Sequence, residues 1–157
     1  MKNVVLFGYG KMGSAIAKGW KLKNLNFNFF VVEKEISLRK IASNDGIKTY
    51  ENFEQLLKFV DLKTLSIIFL AVKPQQMNET VKVFSTIDFS NTLFISIAAG
   101  LSFDWFQSNL KKTLHTYTII LKTIVTQKIT SKKNTIIAFS MNISCTTKPF
   151  RSQMKEN

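Results

Sequence analysis

Residues 2–20, KNVVLFGYGKMGSAIAKGW, decide the fold. An apolar run over residues 2–7 reads as a buried parallel strand, a turn holding Gly8, Gly10 and Gly13 follows, and residues 14–20 read as helix. Strand, G-x-G-x-x-G turn and helix in that order make a Rossmann-type dinucleotide unit. Gly8 permits the sharp exit from the strand, Gly10 lets a pyrophosphate approach the backbone, and Gly13 lets the helix pack on the strand. The phosphates are then expected on the helix N-terminus, where unpaired N–H groups and the helix dipole favour negative charge. Lys11 opposes that dipole by itself and complements it once an anion is bound.

The pattern repeats downstream. Residues 27–32 are aromatic and β-branched, as a second buried strand requires, and Glu33 ends them. An acid about 20 residues beyond the glycines accepts hydrogen bonds from the ribose hydroxyls and selects NAD over NADP. Lys34, Arg39 and Lys40 follow closely and suit a 2′-phosphate, so the spacing leaves NAD or NADP open, and Glu33 also reads as a plain exposed charge at a strand end. Helix is expected over residues 35–43, a turn at Asn44, Asp45 and Gly46, a short strand over 47–50 and a helix over 51–60. Residues 65–72, LSIIFLAV, read as a central strand covered on both faces. Pro74 opens the next helix, expected over residues 75–86. A strand over 92–97 then runs into Ala98, Ala99 and Gly100, and Ser102 caps a helix bearing Phe103, Trp105 and Phe106.

Strand and helix thus alternate through residues 1–111. The expected class is α/β, a Rossmann-type doubly wound, mostly parallel sheet with its ligand crevice at the strand C-terminal ends. Three such ends carry unusual residues: GYGKMG (8–13), AVKPQ (71–75) and ISIAAG (95–100). Small residues at the third leave room for a flat ring or serve tight strand-to-helix packing, while Lys73 adds a cation at the second.

Composition narrows the class. At 157 residues the chain has room for one domain with a core and is short for a dinucleotide domain plus a full substrate domain. Its 45% hydrophobic and 20% charged residues are those of a soluble globular protein, and no apolar run approaches the roughly 20 residues of a membrane span. With the glycine turn too early for a cleaved signal, a cytoplasmic protein is expected. The lone Cys145 excludes an internal disulfide and offers no metal cluster. The net charge of +12 is uneven: residues 1–111 hold 14 basic and 9 acidic groups, residues 112–157 hold 8 and 1. With only Tyr117, Phe139 and Phe150 to stack bases, that basic tail argues against nucleic acid as a partner. A solvated segment, bound neither to nucleic acid nor to a membrane, is expected.

Four stretches, GYGKMGSAIAKGW (8–20), VVEK (31–34), FLAVKPQQM (69–77) and ISIAAGLS (95–102), resemble the N-terminal half of pyrroline-5-carboxylate reductases. Those enzymes make proline by hydride transfer from NADPH or NADH. The resemblance covers about residues 1–111 and implies a cofactor, NADP or NAD. It implies that Phe7, Gly8, Tyr9, Gly10, Lys11 and Met12, with Gly13 behind them, hold the pyrophosphate. Glu33, Lys34 and Asn52 would meet the adenosine end, and Ala71, Val72, Lys73, Pro74, Ile97, Ala98 and Ala99 the nicotinamide end. Lys11 stands where the family often has Asn. No side chain in residues 1–111 is assigned as catalytic, no metal is expected, and His115, the sole histidine, is set aside.

The likeness stops near Lys111. Residues 114–121 (LHTYTIIL) can supply a sixth strand, but ILKTIVTQKITSKKN (120–134) follows without the family's Met-Pro-Asn motif or its helical domain. The expected organisation is therefore a dinucleotide domain over residues 1–111 and a divergent, irregular basic tail over 112–157, frameshifted or otherwise replaced. A truncated reductase lacking the domain that forms the family's oligomer is expected to bind cofactor weakly, without reductase activity. The alternatives are a non-catalytic dinucleotide-binding remnant and, ranked below it, a basic tail that binds nucleic acid or a membrane surface.

Overall fold

A computed structural model describes residues 2–23, 26–89, 91–110 and 119–120. Its elements alternate as the sequence requires: β1 (Asn3–Phe7), α1 (Lys11–Leu22), β2 (Asn28–Val32), α2 (Ile36–Asn44), β3 (Lys48–Tyr50), α3 (Phe53–Leu57), β4 (Leu65–Leu70), α4 (Pro74–Lys82), β5 (Leu93–Ser96), α5 (Phe103–Leu110) and β6 (Ile119–Ile120). The strands form one parallel sheet in the order β3-β2-β1-β4-β5-β6. The order reverses between β1 and β4, and that switch point opens a crevice at the strand C-terminal ends. This is the Rossmann-type doubly wound α/β fold.

Side chains along each strand alternate between two cores, as the two-residue period demands. Leu6, Val31 and Phe69 pack with Ala17 of α1 and Ala42 of α2 on one face. Val5, Phe7, Phe30, Val32, Ile68, Leu70 and Phe94 face α3, α4 and α5 on the other. Phenylalanines fill this second face. Phe84 sits within 5.2–5.4 Å, centroid to centroid, of Phe7, Phe53 and Phe94, and 5.5 Å from Phe89, each pair close to edge-on.

Several boundaries differ from the sequence expectations for identifiable reasons. Helix α1 starts at Lys11 rather than residue 14, because Gly10 is its N-cap and Gly13 lies in its first turn. Strand β4 stops at Leu70, since Ala71 and Val72 turn beneath the glycine loop. Helix α3 spans only Phe53–Leu57. Helix α4 begins on Pro74 and ends at Lys82, where i→i−3 bonds from Phe84 to Val81 and from Ser85 to Lys82 tighten the chain. That tightening tucks Phe84 into the core, where an unbroken helix would carry it along the surface. Ser102 caps α5 as expected, its hydroxyl accepting from the Trp105 amide at 3.2 Å. Of the expected strand over 114–121, Ile119 and Ile120 pair with Ile95 and Ser96, while 114–118 and 121 lie outside the described residues.

Because Phe84 is fully buried and touches four rings, Phe84→Ala removes a core hub. Urea unfolding should show a loss of about 3–5 kcal/mol, the range for a large aromatic truncated in a packed core.

Candidate dinucleotide-binding site

The site starts from the contact between α1 and the end of β1. Gly8 has φ +92°, a conformation that side chains rarely adopt, and a Cβ there would also meet the Ala71 carbonyl oxygen at 2.8 Å. A Cβ on Gly13 would overlap the carbonyl oxygen of Gly8, so α1 approaches the strand exit only because residue 13 has no side chain. Gly10 is different. Its φ is −66° and a Cβ added to it would meet nothing within 4 Å. Neither backbone nor packing requires glycine there, and Gly10 lines the cavity. Gly10 also begins α1, with no side-chain cap and no acid in the first turn. The amides of that turn therefore lack a side-chain acceptor, and an anion on them is favoured by the helix dipole. These residues fit a dinucleotide pyrophosphate.

Tyr9, between two of the glycines, fastens the loop. Its ring is 1% exposed in the core between α1 and α2, and its hydroxyl donates to Asp45 Oδ2 at 2.8 Å. Its amide donates to Glu33 Oε2 at 2.7 Å, and Glu33 Oε1 accepts from the Glu35 amide at 3.0 Å. Lys18 reaches Asp45 at 3.6 Å and Lys21 donates to its carbonyl oxygen. Burial first, then Asp45, push the tyrosine hydroxyl's pKa well above its ordinary range. The Tyr9 hydrogen bond, followed by Lys18 and Lys21, holds the Asp45 carboxyl below its usual range against a smaller opposing effect of desolvation.

The crevice is a cavity of about 710 Å³, lined among others by Phe7, Gly8, Gly10, Glu33, Lys34, Asn52, Ala71, Val72 and Lys73. Its size lies within the usual range for small-molecule sites. Nine of the seventeen residues expected at the site thus share one cavity wall. Lys11, Met12 and Gly13 form the first turn of α1, and Pro74 opens α4. Ile97, Ala98 and Ala99 follow β5, where the Ile97 amide donates to the Leu70 carbonyl and the Ala98 amide to Ser96 Oγ. These seven and Tyr9 lie outside the cavity wall. Asn52 caps α3, accepting from the Gln55 amide at 2.8 Å.

Sequence reading missed several wall residues, among them Glu35, Glu51, Glu54, Gln76, Glu79 and Thr80. Glu79 matters most. It stands on α4 and pairs with Lys34 at 2.8 Å, a contact across 45 residues that no local pattern signals. Lys34 in turn holds the Glu79 carboxyl below its usual range. Among the described residues, no group of three or more His, Cys, Asp or Glu side chains could hold a metal ion, and no helix is long and apolar enough to cross a membrane.

Sheet order, switch-point crevice and glycine turn define an α/β domain of the dinucleotide-binding fold. The chain belongs to the family described as NADP oxidoreductase, coenzyme F420-dependent, which matches residues 3–100. A pyrroline-5-carboxylate reductase of Pasteurella multocida is 32% identical over 110 residues, covering 69% of this chain and 40% of the relative. The chain therefore spans about two fifths of that relative's length. Two solved structures share the fold. A prephenate dehydrogenase from A. aeolicus, in complex with hydroxyphenyl propionate and NAD+, aligns with a TM-score of 0.63 at 18% identity, over 84% of this chain and 44% of that one. The Plasmodium falciparum pyrroline carboxylate reductase with NADP bound aligns with a TM-score of 0.52 at 20% identity, over 76% and 40%. The resemblance read from the four sequence stretches is thus confirmed for the N-terminal half.

Two sets of variants test this geometry. Gly10→Ala should fold with an unchanged melting temperature but lose dinucleotide affinity by about tenfold or more, equivalent to at least about 1.4 kcal/mol. Gly13→Ala should fail to give a cooperative melt, because backbone must move. Tyr9→Phe removes the largest cause of the Asp45 shift. A carboxyl held low in the folded state contributes stability above its ordinary range and loses it as pH falls through the lowered value. The melting temperature of Tyr9→Phe should accordingly lie below that of the wild type at pH 7, and the gap should narrow as the buffer is acidified below the usual aspartate range.

Proposed function

We propose that residues 1–111 are the cofactor-binding half of a reductase of the pyrroline-5-carboxylate reductase kind, holding NAD or NADP across the switch point. The observation that carries this reading is Gly10, a glycine that the fold does not need, open to the crevice at the uncapped start of α1. The relative at 32% identity supports the substrate class. On this reading the first-turn amides of Lys11 and Met12 hold the pyrophosphate, while Phe7, Gly8 and Gly10 form the floor beneath it. Glu33, Lys34 and Asn52 flank the adenosine. Ala71, Val72, Lys73 and Pro74, with Ile97, Ala98 and Ala99, wall the nicotinamide end, their small side chains leaving space for a flat ring.

A bound nicotinamide supplies a hydride, and this half supplies position and exclusion of water rather than an acid or a base. The imine substrate must be held from the other side, and no side chain in residues 1–111 is assigned to it. Residues 112–157 lack the Met-Pro-Asn motif that the resemblance implies, and we read them as a replaced tail. The 157-residue chain by itself is therefore a dinucleotide binder without turnover.

Titration of the purified chain with NADH and NADPH, followed by nicotinamide fluorescence, should give saturable binding. Addition of pyrroline-5-carboxylate should leave the absorbance of the reduced cofactor unchanged. Absence of binding to either dinucleotide overturns the binding reading, and substrate-dependent oxidation overturns the claim that this chain does not turn over.

A further inference from the structure

We infer that the crevice is shaped for the dinucleotide without a 2′-phosphate, NAD(H), and that Glu33 and the Lys34–Glu79 pair set that choice. The inference rests on reading the crevice as a dinucleotide site and goes beyond it, since the fold is shared by proteins solved with NAD+ and with NADP.

Glu33 ends β2 at the position where a ribose hydroxyl is accepted. Its carboxylate is held on both sides by backbone, one oxygen by the Tyr9 amide and the other by the Glu35 amide. Swinging aside to admit a second anion would break two charge-assisted hydrogen bonds. Each carboxylate oxygen still has a lone pair for a ribose hydroxyl. A 2′-phosphate would instead set a group of about −1.5 to −2 charge against it.

The two cations nearest Glu33 in the chain that line or back the crevice, Lys34 and Arg39, are committed elsewhere. Arg39, the strongest phosphate ligand in the stretch, is only 18% exposed at its side chain. Its Nη1 donates to the carbonyl oxygens of Glu33 at 2.8 Å and Lys34 at 2.7 Å, and its Nη2 lies 3.8 Å from Glu51. Lys34 lines the crevice but is bound to Glu79. Lys40 is exposed on α2 and is not part of the cavity wall. Lys73 stands six residues before Glu79 at the start of α4, about 9 Å away along the helix. The basic run after β2 thus reads as a phosphate site in sequence and closes on itself in three dimensions.

The test is equilibrium binding of NADH and NADPH to the full 157-residue chain, measured by calorimetry for the wild type, Glu33→Ser and Glu79→Gln. The wild type should bind NADH about tenfold tighter or more, equivalent to about 1.4 kcal/mol. Glu33→Ser should weaken NADH, strengthen NADPH and bring the two within about twofold, a change of about 0.4 kcal/mol or less from parity. Glu79→Gln frees Lys34 and should narrow the ratio through a gain in NADPH affinity; at an exposed position it also decides the matter if Glu33→Ser fails to fold. Equal or tighter binding of NADPH by the wild type overturns the preference. An unchanged ratio in folded Glu33→Ser or in Glu79→Gln overturns the assignment to these residues. Binding of neither dinucleotide overturns the underlying reading of the crevice, an outcome distinct from the other two.

Discussion

The approach of the first turn of α1 to the Gly8 carbonyl is the contact on which the rest of the domain depends. It exists because residue 13 has no Cβ, and it places the helix N-terminus at the end of the central strand. From there the crevice follows. Ala71 passes beneath Gly8, its amide donating to the Phe7 carbonyl at 2.8 Å, so β4 is seated against β1 at the same point. The Gly8 amide donates to Val32 at 2.9 Å, and the Glu33 amide to Tyr50 at 3.0 Å, so the ends of β1, β2 and β3 are stitched in turn. A side chain at position 13 would disturb all of these together.

Around that contact the two cores divide their work. The face covered by α1 and α2 holds the glycine loop through Tyr9 and keeps small residues, Ala17 and Ala42, where helices meet strands. The face covered by α3, α4 and α5 is filled by phenylalanine rings whose edge-on contacts add to simple area burial. The crevice lies between these layers and takes side chains from both: Leu38 from α2 and Thr80 and Val83 from α4 and the turn after it.

Much of this was legible in the sequence because it is local. The alternation of strand and helix, the glycine turn, Pro74 at a helix start and Ser102 as a cap each depend on residues within a few positions of one another. The ends of β4 and α4 were not legible, because they are set by packing: Ala71 by the glycine loop beneath which it passes, Phe84 by the four rings it joins. The same holds at the site. Gly8, Gly10 and Glu33 announce themselves by spacing, whereas Glu79 enters only because α4 brings it across the crevice to Lys34. Tyr9 shows the opposite case, a residue inside a binding motif whose side chain serves the core rather than the crevice.

The bond from Tyr9 to Asp45 has a thermodynamic consequence. Asp45 lies just past the end of α2, so the glycine loop is tied by one side chain to the end of a second helix. Glycine-rich loops free in solution lose much backbone entropy when an anion orders them. Here that loss has already been met during folding, by a buried ring and a carboxylate that lie outside the cavity wall. The loop is preorganised, and more of each new contact's free energy is left to appear as affinity.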